Sequence, residues 1–99
     1  MPRHVPPLFL TTYEATQIVA LRASLLSDGA LPQVDPGPRF DAVLIASREL
    51  LAGKIDCVVR RGEEDVHVTR FRAPQTLRTY VRLRVRDDSE KEETWVAKG

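Results

Sequence analysis

An α+β fold, with two main helices in the N-terminal half followed by a small antiparallel β-sheet, is what this sequence of 99 residues predicts. Three observations carry the prediction. LTTYEATQIVALRASLL (10–26) joins a capping signal to apolar residues at helical spacing, and FDAVLIASRELLAG (40–53) does the same. Beyond Gly53 helical spacing gives way to alternation of apolar and polar residues.

In the first helix, Thr11 as N-cap and Glu14 at the third helical position make a capping box, each side chain satisfying a backbone N–H at the other's end. Leu10, just before the cap, is placed for a hydrophobic staple. Ile18, Leu21 and Leu25 then form an apolar stripe, widened by Val19 and Leu26, which the spacing assigns to the core. The helix should end near Ser27, with Gly29 as its terminator. GALPQVDPGPR (29–39) contains three prolines and two glycines, so it reads as a loop.

Asp41 can cap the second helix, and Gly53 lies just past its end. Its apolar residues cover most of its circumference, so it needs burial on more than one side. The first helix can supply one wall. So short a chain has little left for the other, and a second polypeptide is expected to provide it.

Three alternating runs follow: IDCVVRR (55–61), VHVTRFRA (66–73) and TYVRLRVR (79–86). GEED (62–65) and DDSEKE (87–92) are polar enough to turn between strands, Pro74 breaks the middle, and Thr94, Trp95 and Val96 are expected to close the sheet. Residues 1–9, with Pro2, Pro6 and Pro7, show no periodicity and are expected to be an extended arm, ordered only by a partner. Residues 10–99 are expected to be a single domain.

The totals agree. A hydrophobic content of 42% in 99 residues suffices for one small core, and only six aromatics make that core thin. The single cysteine, Cys57, excludes an internal disulfide and sits in an apolar run, which points to a reducing compartment. No window is long enough to span a membrane, and MPRHVPPLFL is too short and proline-broken for a signal peptide. A cytoplasmic or nuclear protein is expected. The net charge of +1 hides an internal polarity: the middle of the chain is rich in arginine from Arg60 to Arg86, while the tail carries Asp87, Asp88, Glu90, Glu92 and Glu93.

No catalytic or cofactor constellation emerges. One cysteine with two distant histidines, His4 and His67, cannot supply the four ligands of a structural zinc site. The aspartates of the central region match no calcium loop, and the isolated glycines form no phosphate-binding motif. No catalytic residues, no cofactor and no small-molecule substrate are expected. Arg82, Arg84 and Arg86 would line one face of a strand, where guanidiniums could meet phosphates; a small arginine-rich nucleic-acid-binding protein is therefore the alternative reading.

The order of features carries a further indication. LTTYEATQIVALRA, a proline-rich loop, and FDAVLIASRELLAGKI followed at once by DCVVRR resemble the small RNA polymerase subunits of the omega/K type. That family includes the archaeal K subunit, the sixth common subunit of eukaryotic polymerases, viral homologues and, more distantly, bacterial omega. The resemblance covers residues 10–61, with a fainter continuation. Its first block, Leu-Thr-Lys-Tyr-Glu and a later Arg-Ala pair, is matched by Leu10, Thr11, Tyr13, Glu14, Arg22 and Ala23. Its second, Asp-Pro-Leu-x-Ile-Ala-x-x-Glu-Leu followed by Lys-Ile-Pro and a strand ending Ile-Arg-Arg, is met by Asp41, Ile45, Ala46, Glu49, Leu50, Lys54, Ile55, Arg60 and Arg61. Thr12 departs from the usual lysine, Gln17 from an arginine, Ala20 from a glycine, and Ala42 and Asp56 from the prolines. Trp95 comes about one hairpin later than the family's Glu-x-Trp strand. Either residues 62–78 are an insertion or VRLRVRDDSEKEETW is the counterpart of the family hairpin.

The resemblance implies an omega/K-like subunit fold and a non-catalytic subunit of a DNA-directed RNA polymerase. Such a subunit binds the largest subunit, stabilises assembly, and meets other subunits and, indirectly, DNA. The location would be wherever the polymerase works, or a virion if the chain is viral. Candidate polar contacts to the partner are Arg22, Glu49, Arg60 and Arg61; candidate apolar ones are Tyr13, Ile18, Leu44 and Ile45.

Overall fold

A computed structural model describes the backbone of residues 8–98 and the side chains up to residue 86; of the expected arm, residues 1–7 lie outside it. The elements are β1 (Leu8–Phe9), α1 (Thr12–Ser27), α2 (Ala42–Leu51), β2 (Val58–Arg61), β3 (Glu64–His67), a 3-10 turn (Val68–Arg70), β4 (Phe71–Arg72) and α3 (Gln75–Lys98). The fold is α+β, with two helices ahead of a small antiparallel hairpin, and a third helix closes the described chain.

Both predicted helices begin and end where local chemistry places them. The Glu14 N–H donates to Thr11 Oγ1 at 3.0 Å and the Thr11 N–H to Glu14 Oε1 at 2.8 Å, completing the capping box. Asp41 Oδ1 accepts from the Leu44 N–H at 3.1 Å. At the other ends, Gly29 (φ 106°) and Gly53 (φ 70°) adopt the left-handed conformation. Their N–H groups donate to Leu26 O and Leu50 O, and those of the next residues to Leu25 O and Glu49 O. This paired arrangement is the Schellman motif, which a side chain at either glycine would strain.

The helices meet through small residues. Ala15, Val19, Ala23 and Leu26 are the buried positions of α1, and with Ile45, Ala46 and Leu50 of α2 they form the main cluster, joined by Leu10, Ile55 and Val68. This corrects the expected stripe: Leu21 and Leu25 face outward and Ile18 is only half-buried. Alanines facing a neighbouring helix allow close approach, and it is the face bearing Ala15 and Ala23, not the one bearing Leu21 and Leu25, that turns to the core.

β2 and β3 form an antiparallel hairpin pairing Arg61 with Glu64 and Val58 with His67. Gly62 (φ 63°) takes the first position of its two-residue turn, as a type II′ turn requires. β1 runs parallel to β4, Leu8 opposite Phe71, so the chain just before α1 is tied to the segment following the hairpin.

The run 79–86 and the closing residues 94–96 are not strands but parts of α3. Their alternation also contains a helical pattern. Leu77 packs against the core, Tyr80 and Val81 are half-buried one turn on, and Arg84 donates to Asp41 Oδ2 at 3.1 Å. No glycine or proline interrupts residues 75–98, and the glutamates, lysines and arginines there are good helix formers. DDSEKE therefore continues a helix instead of turning. α3 packs on both α1 and α2, so it supplies the second wall that the apolar α2 was expected to need from another polypeptide.

Candidate partner-binding surface

Two carboxylate–guanidinium pairs organise the surface around α1. Glu49, with 0% of its side chain exposed, receives Arg22 Nε at 2.5 Å and Nη2 at 3.1 Å, a bidentate pair across the α1–α2 interface. Arg22 also donates to Leu31 O, and the Gln33 N–H to Glu49 Oε2 at 2.7 Å, so the same pair holds down the central loop. Burial opposes the ionisation of Glu49, but the bonds from Arg22 and the Gln33 N–H outweigh it and hold the carboxyl below its usual range. Those bonds leave Glu49 satisfied within its own chain.

The second pair joins distant segments. Arg61, at the end of β2, donates from Nε and Nη2 to Glu14 at 3.1 and 2.6 Å and to Phe9 O at 2.7 Å. Its guanidinium carbon lies 5.0 Å from the centre of the Phe71 ring, a cation–π distance. The hydrogen bonds from Arg61 and from the Thr11 N–H hold the Glu14 carboxyl below its ordinary value. One side chain thereby ties together β1, the cap of α1, the hairpin and β4.

The other candidate residues divide by burial. Leu44 and Ile45 lie inside the fold, Tyr13 is 73% exposed, and Arg60 is exposed on the hairpin beside Asp65 at 3.5 Å. Ile18 borders a groove of about 670 Å3 lined by Leu21, Leu25, Ile55 and Cys57, with Arg22, Lys54 and Asp56 at its polar rim. Leu21 and Leu25 are 69% and 56% exposed. Sequence reasoning missed them as surface residues because apolar residues at helical spacing signal core, and spacing does not say which of two apolar faces turns inward. Burial, and secondarily the neighbouring Asp56, push the Cys57 thiol up, so it stays protonated and serves as apolar lining.

No family model matches the chain. It is 38% identical over 77 residues, 76% of this chain and 73% of the relative, to a protein of Pyrobaculum aerophilum named DNA-directed RNA polymerase subunit Rpo6. The chain belongs to the omega/K-type family of small RNA polymerase subunits. At three of its departures from the omega/K pattern, the substituted residues have local roles. Thr12, in place of lysine, puts its hydroxyl 3.3 Å from that of Thr76, linking the starts of α1 and α3. Ala42 occupies the first position of α2, where a proline would be tolerated for want of a helical partner for its N–H. Asp56, in place of the second proline, pairs with His67 Nε2 at 2.7 Å, bracing the hairpin against the segment after α2.

Proposed function

We propose that this chain is the non-catalytic omega/K-type subunit of a DNA-directed RNA polymerase, that it binds the largest subunit, and that it promotes or stabilises assembly. Family membership supports the polymerase setting. The observation that carries the binding role is the second apolar face of α1. Its inner face is already buried on α2, yet Leu21 and Leu25 stand exposed beside half-buried Ile18 over a preformed groove. Exposed apolar residues concentrated at a groove are the usual mark of a protein-binding surface.

In this reading Tyr13, Ile18, Leu21, Leu25 and Arg60 touch the partner. Arg22, Glu49 and Arg61 hold the surface in shape, and Leu44 and Ile45 support it from beneath. The test is copurification from native extract. Tagged wild-type chain should bring down the large polymerase subunits, and Leu21→Asp/Leu25→Asp should lose them while remaining folded. Recovery of the wild-type chain as a lone monomer would overturn the proposal.

A further inference from the structure

The arginines of α3 have no part in the surface on α1, and the helix changes which of them act together. Arg84 turns toward the body and pairs with Asp41, whereas Arg78, Arg82 and Arg86, four residues apart, fall in one row. At about 100° per residue, that row is rotated by roughly 100 to 180° from core-packed Leu77, and each four-residue step rises about 6 Å. All three side chains are exposed. We propose that this row, centred on Arg78 and Arg82, binds the phosphate backbone of nucleic acid without reading its sequence.

The placement of Arg78 and Arg82 has no explanation within the helix. Neither Arg78 nor Arg82 has a carboxylate three or four residues away in either direction, the spacing at which helical ion pairs form. Arg78 lies in the first turn, which has no acidic residue, so its charge sits at the end of the helix dipole that disfavours cations. Arg78 and Arg82 therefore do not stabilise their own helix through ion pairs, and they call for an external anion. On the same side, Gln75 Nε2 lies 3.3 Å from Thr79 Oγ1, adding neutral hydrogen-bonding groups rather than competing carboxylates.

Phosphate suits the row better than a protein surface does. The row itself is purely cationic, and the exposed Leu83 and Val85 that flank it supply no aromatic anchor. Tyr80, the one aromatic of α3 with a described side chain, is half-buried on the side toward the body, so base stacking is not offered. Phosphate binding needs only regularly placed cations, and the arginine fork also donates two hydrogen bonds to each anion.

The full-length protein should be titrated with fluorescent duplex DNA of mixed sequence, and separately with single-stranded RNA, between about 50 and 200 mM salt. Wild type should bind with log K falling linearly against log salt, at about −0.9 per phosphate engaged on the duplex and about −0.7 on the single strand. The nucleic acid bound more tightly at equal salt is the preferred source. Arg78→Gln/Arg82→Gln should bind about tenfold or more weakly at low salt and reduce the duplex slope by about 1.8, with an unchanged circular dichroism spectrum. Arg39→Gln, in the central loop, should change neither. The inference is overturned if wild type does not bind either nucleic acid, or if the double variant keeps the wild-type slope. It is also overturned if polyglutamate displaces the protein as effectively as DNA at equal charge, which would assign the row to an acidic protein.

Discussion

The segment from Leu10 to Ile55 and the segment after it are held by different means. Among the described residues, ten of the eleven buried apolar ones lie in the first and only Val68 in the second, which is secured by hairpin pairing, a parallel pair with β1 and the Arg61 hub. The ion pairs follow the same division. Arg22–Glu49 is buried between two helices, while Arg61–Glu14 is half-exposed and joins strands to a helix cap. The same chemistry therefore carries different weight in the two places, because water screens one pair and is excluded from the other.

The largest expected effect tests that contrast directly. Glu49→Ala should lower stability by about 3–5 kcal/mol in denaturant titration, since Arg22 would keep its charge in a desolvated position and the Gln33 N–H would lose its acceptor. Glu14→Ala should cost only about 1–2 kcal/mol, from one half of the capping box and an exposed pair. If the two losses prove equal, burial does not distinguish the pairs.

Acid should weaken both ion pairs. Glu14 and Glu49 have carboxyls held below the ordinary value of 4.5 in the folded chain. In the window below that value the unfolded state binds more protons, so stability falls as pH drops through it and is fully present above it. Thermal unfolding across acidic pH should show this decline, and Glu14→Gln or Glu49→Gln should each remove part of it.

Two smaller effects sharpen the picture. Thr11→Ala should cost about 1 kcal/mol by removing the acceptor for the Glu14 N–H. Arg60→Ala, whose pair with Asp65 is exposed and 3.5 Å long, should stay within about 0.5 kcal/mol in the isolated chain. A larger loss at Arg60 would mean that the hairpin carries more of the fold than its burial indicates.

Several features were legible in the sequence because they depend on residues a few positions apart. The capping box at Thr11 and Glu14, the Asp41 cap and the terminations at Gly29 and Gly53 belong to this class, as does the Gly62 turn. Such bonds close within one turn of chain, so residue type and spacing decide them. The order of the two blocks was equally readable, and it led to the polymerase family.

Tertiary structure decided which side of each element faces inward. Apolar residues on α1 are compatible with two packings; the inner face went to Ala15, Val19 and Ala23 because α2 lies close, leaving Leu21 and Leu25 at the groove. The alternating run from Thr79 to Arg86 was compatible with strand or helix, and packing of Leu77 on the core together with the Arg84–Asp41 pair chose helix. The partners of Arg22 and Arg61, 27 and 47 residues away, had no local signal at all. Contacts at such separation depend on how whole elements pack, and the periodicity of each element leaves more than one packing open.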